Sequence, residues 1–275
     1  MNLLEHELET ARTIALEAAA VVTRFRQGKI TVESKAGNEP VTEADRAANA
    51  LIVERLTQAF PDDVVLSEEL PDDGSRLGRD RVWMVDPIDG TSDFIAGDSG
   101  YAVMIGLCIG GRPLMGVVAQ PVTGKTYGGI VGTGAWLESP GRGRQPLHTS
   151  TLARAPGIRL VASKTHRTPK VDAIRRALEV TDEMNIGSVG LKIGLVSEAA
   201  RDLYVYTGGR TKIWDTCGPE AILVAAGGLV TGYDGRPLEY TADHLYNTRG
   251  IVASNGPLHD RVIQTIAPFL PKQAD

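Results

Sequence analysis

The sequence predicts an α/β chain, an α+β sandwich of two unlike halves. Three observations carry this. Two amphipathic helical segments open the chain, short apolar runs with hairpin signals follow, and beyond residue 146 strands alternate with helices. Residues 1–145 are therefore expected to form a helix pair on a mostly antiparallel sheet, and 146–275 an α/β half.

Residues 3–27 carry Leu4, Leu8, Ala11, Ala15, Ala18, Val22 and Phe25 at steps of three and four, one helix face, and Gly28 ends it. A second helix is expected over 43–60, with Ala47, Ala48, Leu51, Ile52 and Leu56 on its apolar face. Thr42 is its N-cap, and Asp45 is the acid of a capping box. The apolar runs 64–66 and 82–85 read as buried strands. Gly110-Gly111-Arg112-Pro113 between 101–109 and 114–119 signals a hairpin, and another strand covers 125–131. The Gly-, Pro- and Arg-rich stretch 139–146 is the expected boundary. Beyond it, strand 159–162 precedes helix 169–180. A short strand near Asn185 precedes helix 191–200, and strand 203–206 precedes helix 216–226.

With 275 residues and 42% hydrophobic content, the chain can bury one large core or two intimate halves. The formal net charge of -5 argues against a nucleic-acid polymer or an anionic membrane as partner. No apolar run approaches the ~20 residues of a membrane span. The N-terminus lacks a basic stretch followed by a long apolar one. A cytoplasmic location follows as the expectation. Cys108 sits in an apolar strand, and Cys217 has no His or second Cys at metal spacing, so no disulfide framework is expected.

Acidic residues gather at strand ends. Glu68 and Glu69 follow the first apolar run, Asp86 and Asp89 follow the second, and Asp215 stands near the start of a helix. Carboxylates brought together repel, and a hard divalent cation relieves that repulsion through oxygen ligands. In Asp86-Pro87-Ile88-Asp89-Gly90, Pro87 fixes a backbone angle and Gly90 permits a tight turn. Such a turn aims both carboxylates and the Ile88 carbonyl at one point. Taken singly, these residues are ordinary turn and cap residues.

The longer strings say more. Trp83-Met84-Val85-Asp86-Pro87-Ile88-Asp89-Gly90-Thr91-Ser92-Asp93-Phe94 and Trp214-Asp215-Thr216-Cys217-Gly218-Pro219-Glu220-Ala221 resemble the two signatures of the inositol monophosphatase superfamily. Glu68-Glu69 and Val41-Thr42-Glu43-Ala44-Asp45 are similar to its upstream elements. The resemblance implies a layered αβαβα sugar-phosphatase fold and hydrolysis of phosphate monoesters with two or three magnesium ions. It implies that Glu68, Asp86 and the Ile88 carbonyl hold one metal, and Asp86, Asp89 and Asp215 another. Asp45 and Thr91 would activate water, and Glu69 would support rather than ligate. Gly90, Thr91 and Asp215 would also touch substrate.

Ser163-Lys164-Thr165-His166 and Gly187-Ser188-Val189-Gly190-Leu191-Lys192 resemble the bisphosphate nucleotidases of that superfamily more than its inositol enzymes. This implies that Ser163, His166, Ser188 and Lys192 contact a small phosphorylated nucleotide, adenosine 3',5'-bisphosphate or 3'-phosphoadenylyl sulfate. The alternatives are an inositol or sugar monophosphatase and a non-catalytic phosphate-binding protein. The latter would be expected to lack one of the four carboxylates. His166 also reads as a surface loop residue, and Lys192 as a solvated helix residue. Thr207-Gly208-Gly209-Arg210 matches neither branch cleanly. Arg201, Arg210 and Arg249 are candidate extra phosphate contacts. A monomer or homodimer is expected, and lithium sensitivity is implied by the same resemblance.

Overall fold

A computed structural model describes residues 4–28, 30–34, 40–154, 156–164 and 169–269. The chain opens with α1 (Glu5–Arg26), strands β1 (Val32–Ser34) and β2 (Pro40–Thr42), and α2 (Glu43–Ala59). Then come β3 (Val64–Ser67), β4 (Arg81–Asp89), α3 (Thr91–Ala96), β5 (Ala102–Ile109), β6 (Arg112–Gln120), β7 (Lys125–Ile130), β8 (Gly134–Ser139) and β9 (Arg142–Leu147). The remainder is β10 (Arg159–Ser163), α4 (Pro169–Ala177), β11 (Asp182–Ile186), α5 (Val189–Ser197), β12 (Leu203–Tyr206), α6 (Ile213–Ala225), β13 (Leu229–Thr231), β14 (Ile251–Ser254) and α7 (His259–Ile266).

Both expected N-terminal helices are present, and the capping box forms as read. Asp45 accepts from the Thr42 N–H at 2.8 Å, and Thr42 Oγ1 accepts from the Asp45 N–H at 3.4 Å. Strands β3 to β9 make one sheet in chain order, parallel between β3 and β4 and antiparallel elsewhere. The expected boundary at 145/146 falls inside β9. Ser139–Arg142 close the last hairpin of this sheet, so the turn residues there make an edge hairpin and no linker. Strand β9 is exposed at every residue but the last, which removes the apolar alternation that would have marked it.

The second sheet runs β11-β10-β12-β14-β13 and is mixed, with β14 antiparallel to both β12 and β13. Helices α1 and α2 cover the outer face of the first sheet, α5 and α6 lie between the sheets, and α4 and α7 cover the second. That is the layered αβαβα arrangement the motifs imply. Helix α5 is buried at eight of its nine positions because both faces meet a sheet. No helix among the described residues is long and apolar enough to cross a membrane. Both cysteines are free and buried.

Helix α6 carries Asp215, and three glycines seat it. Gly106 and Gly116 pair across β5 and β6, directly under Gly218. A Cβ at Gly106 would lie 2.4 Å from the Gly218 nitrogen, and one at Gly116 2.0 Å from its carbonyl oxygen. On the other side the Tyr240 hydroxyl donates to Glu220 at 2.6 Å, and Asn247 Nδ2 donates to the Lys212 carbonyl at 3.0 Å. Burial pushes the Glu220 carboxyl up to about 7, against the Tyr240 hydrogen bond and the Arg112 charge.

Two outcomes follow from this seating. Gly116→Ala should lower unfolding free energy by about 1–3 kcal/mol or more in urea titrations, because backbone stands in the way of the new methyl. Gly143→Ala, with nothing within 4 Å, should not. The raised Glu220 carboxyl favours the protonated fold, so its contribution is present at low pH and lost as pH rises through about 7. Glu220→Gln stays neutral and should therefore gain thermal stability over wild type at about pH 8, with little gain at about pH 5. An equal difference at both values would contradict a titrating Glu220.

Candidate active site

Strand β4 ends in an irregularity that builds the site. Asp86 pairs with Met104 and Asp89 with Ala102, so one extra residue of β4 is fitted between them. Pro87 donates no ladder hydrogen bond there. The Ile88 N–H turns back to Asp86 Oδ1 at 3.0 Å. Gly90 then takes φ of 95°, and a Cβ on it would meet the Gly100 carbonyl at 2.7 Å. Only glycine fits this corner, and it places Thr91 at the start of α3.

The result is a cleft of about 380 Å³ lined by Glu68, Asp86, Ile88, Asp89, Gly90, Thr91, Ser163, Lys192 and Asp215. Tyr204, Tyr206, Arg210 and Thr211 complete its far wall, and Glu69 is not among the lining residues. Asp45 stands behind Thr91. One Asp45 oxygen is held by the Thr42 N–H and hydroxyl at 2.8 and 2.5 Å. The other lies 3.3 Å from Thr91 Oγ1, which also lies 3.1 Å from the Ile88 carbonyl. The structure thus brings the expected Asp45–Thr91 pair together.

Asp89 and Asp215 are fixed by donors at the starts of α5 and α6. Asp89 Oδ2 accepts from Ser188 Oγ at 2.5 Å and from the Gly190 N–H at 2.8 Å. Ser188 Oγ in turn accepts from the Leu191 N–H at 3.0 Å and caps α5. Asp215 accepts from the Lys212 N–H at 2.8 Å. Burial pushes Asp86 well above the usual carboxylate range, and Glu68, Asp89, Asp215 and Asp45 push it further. Asp215 is raised by burial and then by Asp89 and Glu68. Asp89 is raised by burial, with the Lys192 ammonium and its two hydrogen bonds opposing.

Among the described residues no three His, Cys, Asp or Glu side chains stand ready to hold an ion as they are. Asp86, Asp89 and Asp215 each turn one oxygen to N–H or O–H donors. The donor set still suits a hard divalent cation: four carboxylates and the Ile88 carbonyl, all oxygen, with a mutual repulsion that such a charge would relieve.

The expected substrate contacts divide. Ser163 lines the cleft at the end of β10. Ser188 is fully buried, behind the wall. Lys192 borders the cleft but is 1% exposed, and its Nζ donates to the Gly187 carbonyl at 2.5 Å and the Ile186 carbonyl at 3.3 Å. Burial pushes its ammonium down to about 8. His166 lies outside the described residues. Of the three arginines, Arg210 lines the cleft. Arg201 pairs with Asp182 at 2.7 Å, and Arg249 with Asp234 at 2.9 Å, neither on the cleft wall.

Asp93 is the residue sequence reasoning passed over. Its Oδ2 accepts from the Gly187 N–H at 3.1 Å, and it fills space that a Cβ on Gly100 or Gly187 would occupy. With Lys192 it fixes the 186–188 turn. Its position within the first motif, Ser92-Asp93-Phe94, was the available signal.

Known proteins resemble this chain in sequence and in fold. The sequence profile of the inositol monophosphatase family matches residues 3–268. The chain is 39% identical over 224 residues to the 3'(2'),5'-bisphosphate nucleotidase CysQ of Escherichia coli (strain K12), covering 81% of this chain and 88% of that protein. It is 35% identical over 207 residues to the 3'-phosphoadenosine 5'-phosphate phosphatase of Mycobacterium bovis, covering 71% and 70%. The inositol monophosphatase of Anabaena superposes with a TM-score of 0.78 at 25% identity, covering 98% of each chain. The resemblance to bisphosphate nucleotidases and the phosphoric monoester hydrolase class read from the motifs are borne out. The chain belongs to the inositol monophosphatase family.

Proposed function

We propose that the protein is a magnesium-dependent phosphomonoesterase that removes the 3'-phosphate of adenosine 3',5'-bisphosphate, with 3'-phosphoadenylyl sulfate as a second substrate. The arrangement that supports this most is the Asp45–Thr91 pair at the rim of a cleft whose floor is Glu68, Asp86, Asp89 and Asp215. The names carried by the nucleotidase relatives support the choice of substrate.

In this reading Glu68, Asp86 and the Ile88 carbonyl hold one magnesium ion, and Asp86, Asp89 and Asp215 a second. Bound there, the ions would acidify water and neutralise charge on the departing oxygen. The chain's own part is positioning and proton transfer. Thr91 Oγ1 accepts a proton from the attacking water while its own proton passes to Asp45. Asp45 is oriented for this because its second oxygen is locked by Thr42. The water oxygen bonds to phosphorus, the bond from phosphorus to the 3'-oxygen breaks, and that oxygen takes a proton from solvent. Ser163 and the Gly90–Thr91 corner meet the substrate directly. Ser188 and Lys192 act through the Asp89 carboxylate and the 186–188 turn that they hold.

Phosphate release from adenosine 3',5'-bisphosphate, inositol 1-phosphate and fructose 1,6-bisphosphate, with and without magnesium, tests the reading. The adenosine compound should be preferred, and activity should require the metal. Preference for the inositol ester would place the protein with the inositol enzymes instead. Asp86→Asn should abolish turnover in magnesium while the far-ultraviolet circular dichroism stays native, because it keeps shape and removes a charge that both ions need. Near-wild-type activity in that variant would refute the shared ligand. Lithium, by the family resemblance, should inhibit uncompetitively at about millimolar concentration or below where potassium does not.

A further inference from the structure

A bisphosphate carries a second anionic group that stays on the product. A chain of net charge -5 needs a local cation to hold it. Among the described residues two cations line the cleft, Lys192 and Arg210. Lys192 is buried, and its ammonium donates to two main-chain carbonyls of the 186–188 turn. Arg210 is exposed, and no ion pair engages it among the described residues.

The residue beside it makes the case stronger. Thr211 is nine-tenths buried and lines the cleft, yet its hydroxyl has no hydrogen-bond partner among the described residues. A buried hydroxyl left without a partner is unfavourable, so such groups mark places where a ligand completes the pairing. The backbone that carries the two is held in place. The Asn247 N–H donates to the Thr211 carbonyl at 2.8 Å. Gly208 lies so close over the phenol that a Cβ there would be 2.4 Å from the Tyr206 hydroxyl. With no side chain at Gly208 the loop lies close on the phenol, and Arg210 and Thr211 line the cleft. The next residue, Lys212, gives its N–H to Asp215. The loop and the acidic floor are thus joined through one peptide.

We propose that Arg210 and the Thr211 hydroxyl form the subsite for the substrate's second, unhydrolysed phosphate or sulfate, and so set the preference for bisphosphorylated over monophosphorylated nucleotides. This rests on the nucleotidase reading above. Guanidinium forks match tetrahedral oxyanions bidentately, and a hydroxyl supplies a third donor. Lys192, by contrast, supports both kinds of substrate alike through the 186–188 turn that it holds.

The test is kcat/KM on adenosine 3',5'-bisphosphate and on 3'-AMP, for wild type, Arg210→Ala, Thr211→Val and Lys192→Met. Arg210→Ala should lose about tenfold to a hundredfold on the bisphosphate, mostly in KM, and far less on 3'-AMP. Thr211→Val should shift the same ratio in the same direction by about threefold to tenfold. Arg210→Lys should recover part of the loss, because it restores the charge without the fork. Lys192→Met should lower both substrates together. Equal losses on both substrates in Arg210→Ala, or no loss, would overturn the subsite. A wild type that shows no preference for the bisphosphate at all would instead overturn the nucleotidase reading.

Discussion

Four carboxylates, two of them buried, are held together where two halves of the chain meet, and the rest of the structure is arranged around that fact. Like charges at such a place repel, and burial strengthens the repulsion. For two of the four, Asp89 and Asp215, and for the neighbouring Asp45, the fold answers with helix N-termini. Asp45 accepts at the start of α2, Asp89 accepts the Gly190 N–H at the start of α5, and Asp215 accepts the Lys212 N–H at the start of α6. Each terminus offers N–H groups without helical partners and the positive end of a helix dipole. Together they make anions tolerable in a site that also has to receive a phosphate.

This convergence requires α6 to lie hard against the first sheet while its first turn reaches the end of β4. The contact of Gly218 with Gly106 and Gly116 provides that closeness, since no side chain separates helix from strand. The Glu220–Tyr240 pair and Asn247 hold the same helix from the other side. The position of Asp215 relative to Asp86 is therefore a packing property of glycines far from it in sequence. The 186–188 turn is fixed in a similar way, by Asp93 from the first half and Lys192 from the second.

How much of this the sequence disclosed depends on how local the cause is. The helix pair and the Thr42–Asp45 box follow from spacing within a few residues, and they stand where the pattern placed them. The two signature strings located β4, its turn and Asp215 because each is continuous in the chain. Helix α3 is too short to show a period, and β9 has no apolar alternation to read. Lys192 read as a substrate contact, with a solvated helix residue as the alternative, and the buried position was not foreseen. The sandwiching of α5 between two sheets, which buries it, is a tertiary fact. The role of Asp93 depends on Gly100 and Gly187, one near and one far in sequence, brought together only by the fold. The Arg210 loop was visible as a mismatch to either branch, but its place on the cleft wall was not.

The proposed reaction requires the acidic floor to be an incomplete cation site. The most direct measurement is the thermal unfolding midpoint of the wild-type protein as magnesium is titrated, at neutral pH and against sodium chloride of matched ionic strength. A ligand that binds only the folded state raises stability in proportion to the logarithm of its concentration above Kd. The account predicts a midpoint that climbs with magnesium in this way and does not climb with sodium. A midpoint that ignores magnesium, or follows ionic strength alone, would contradict it.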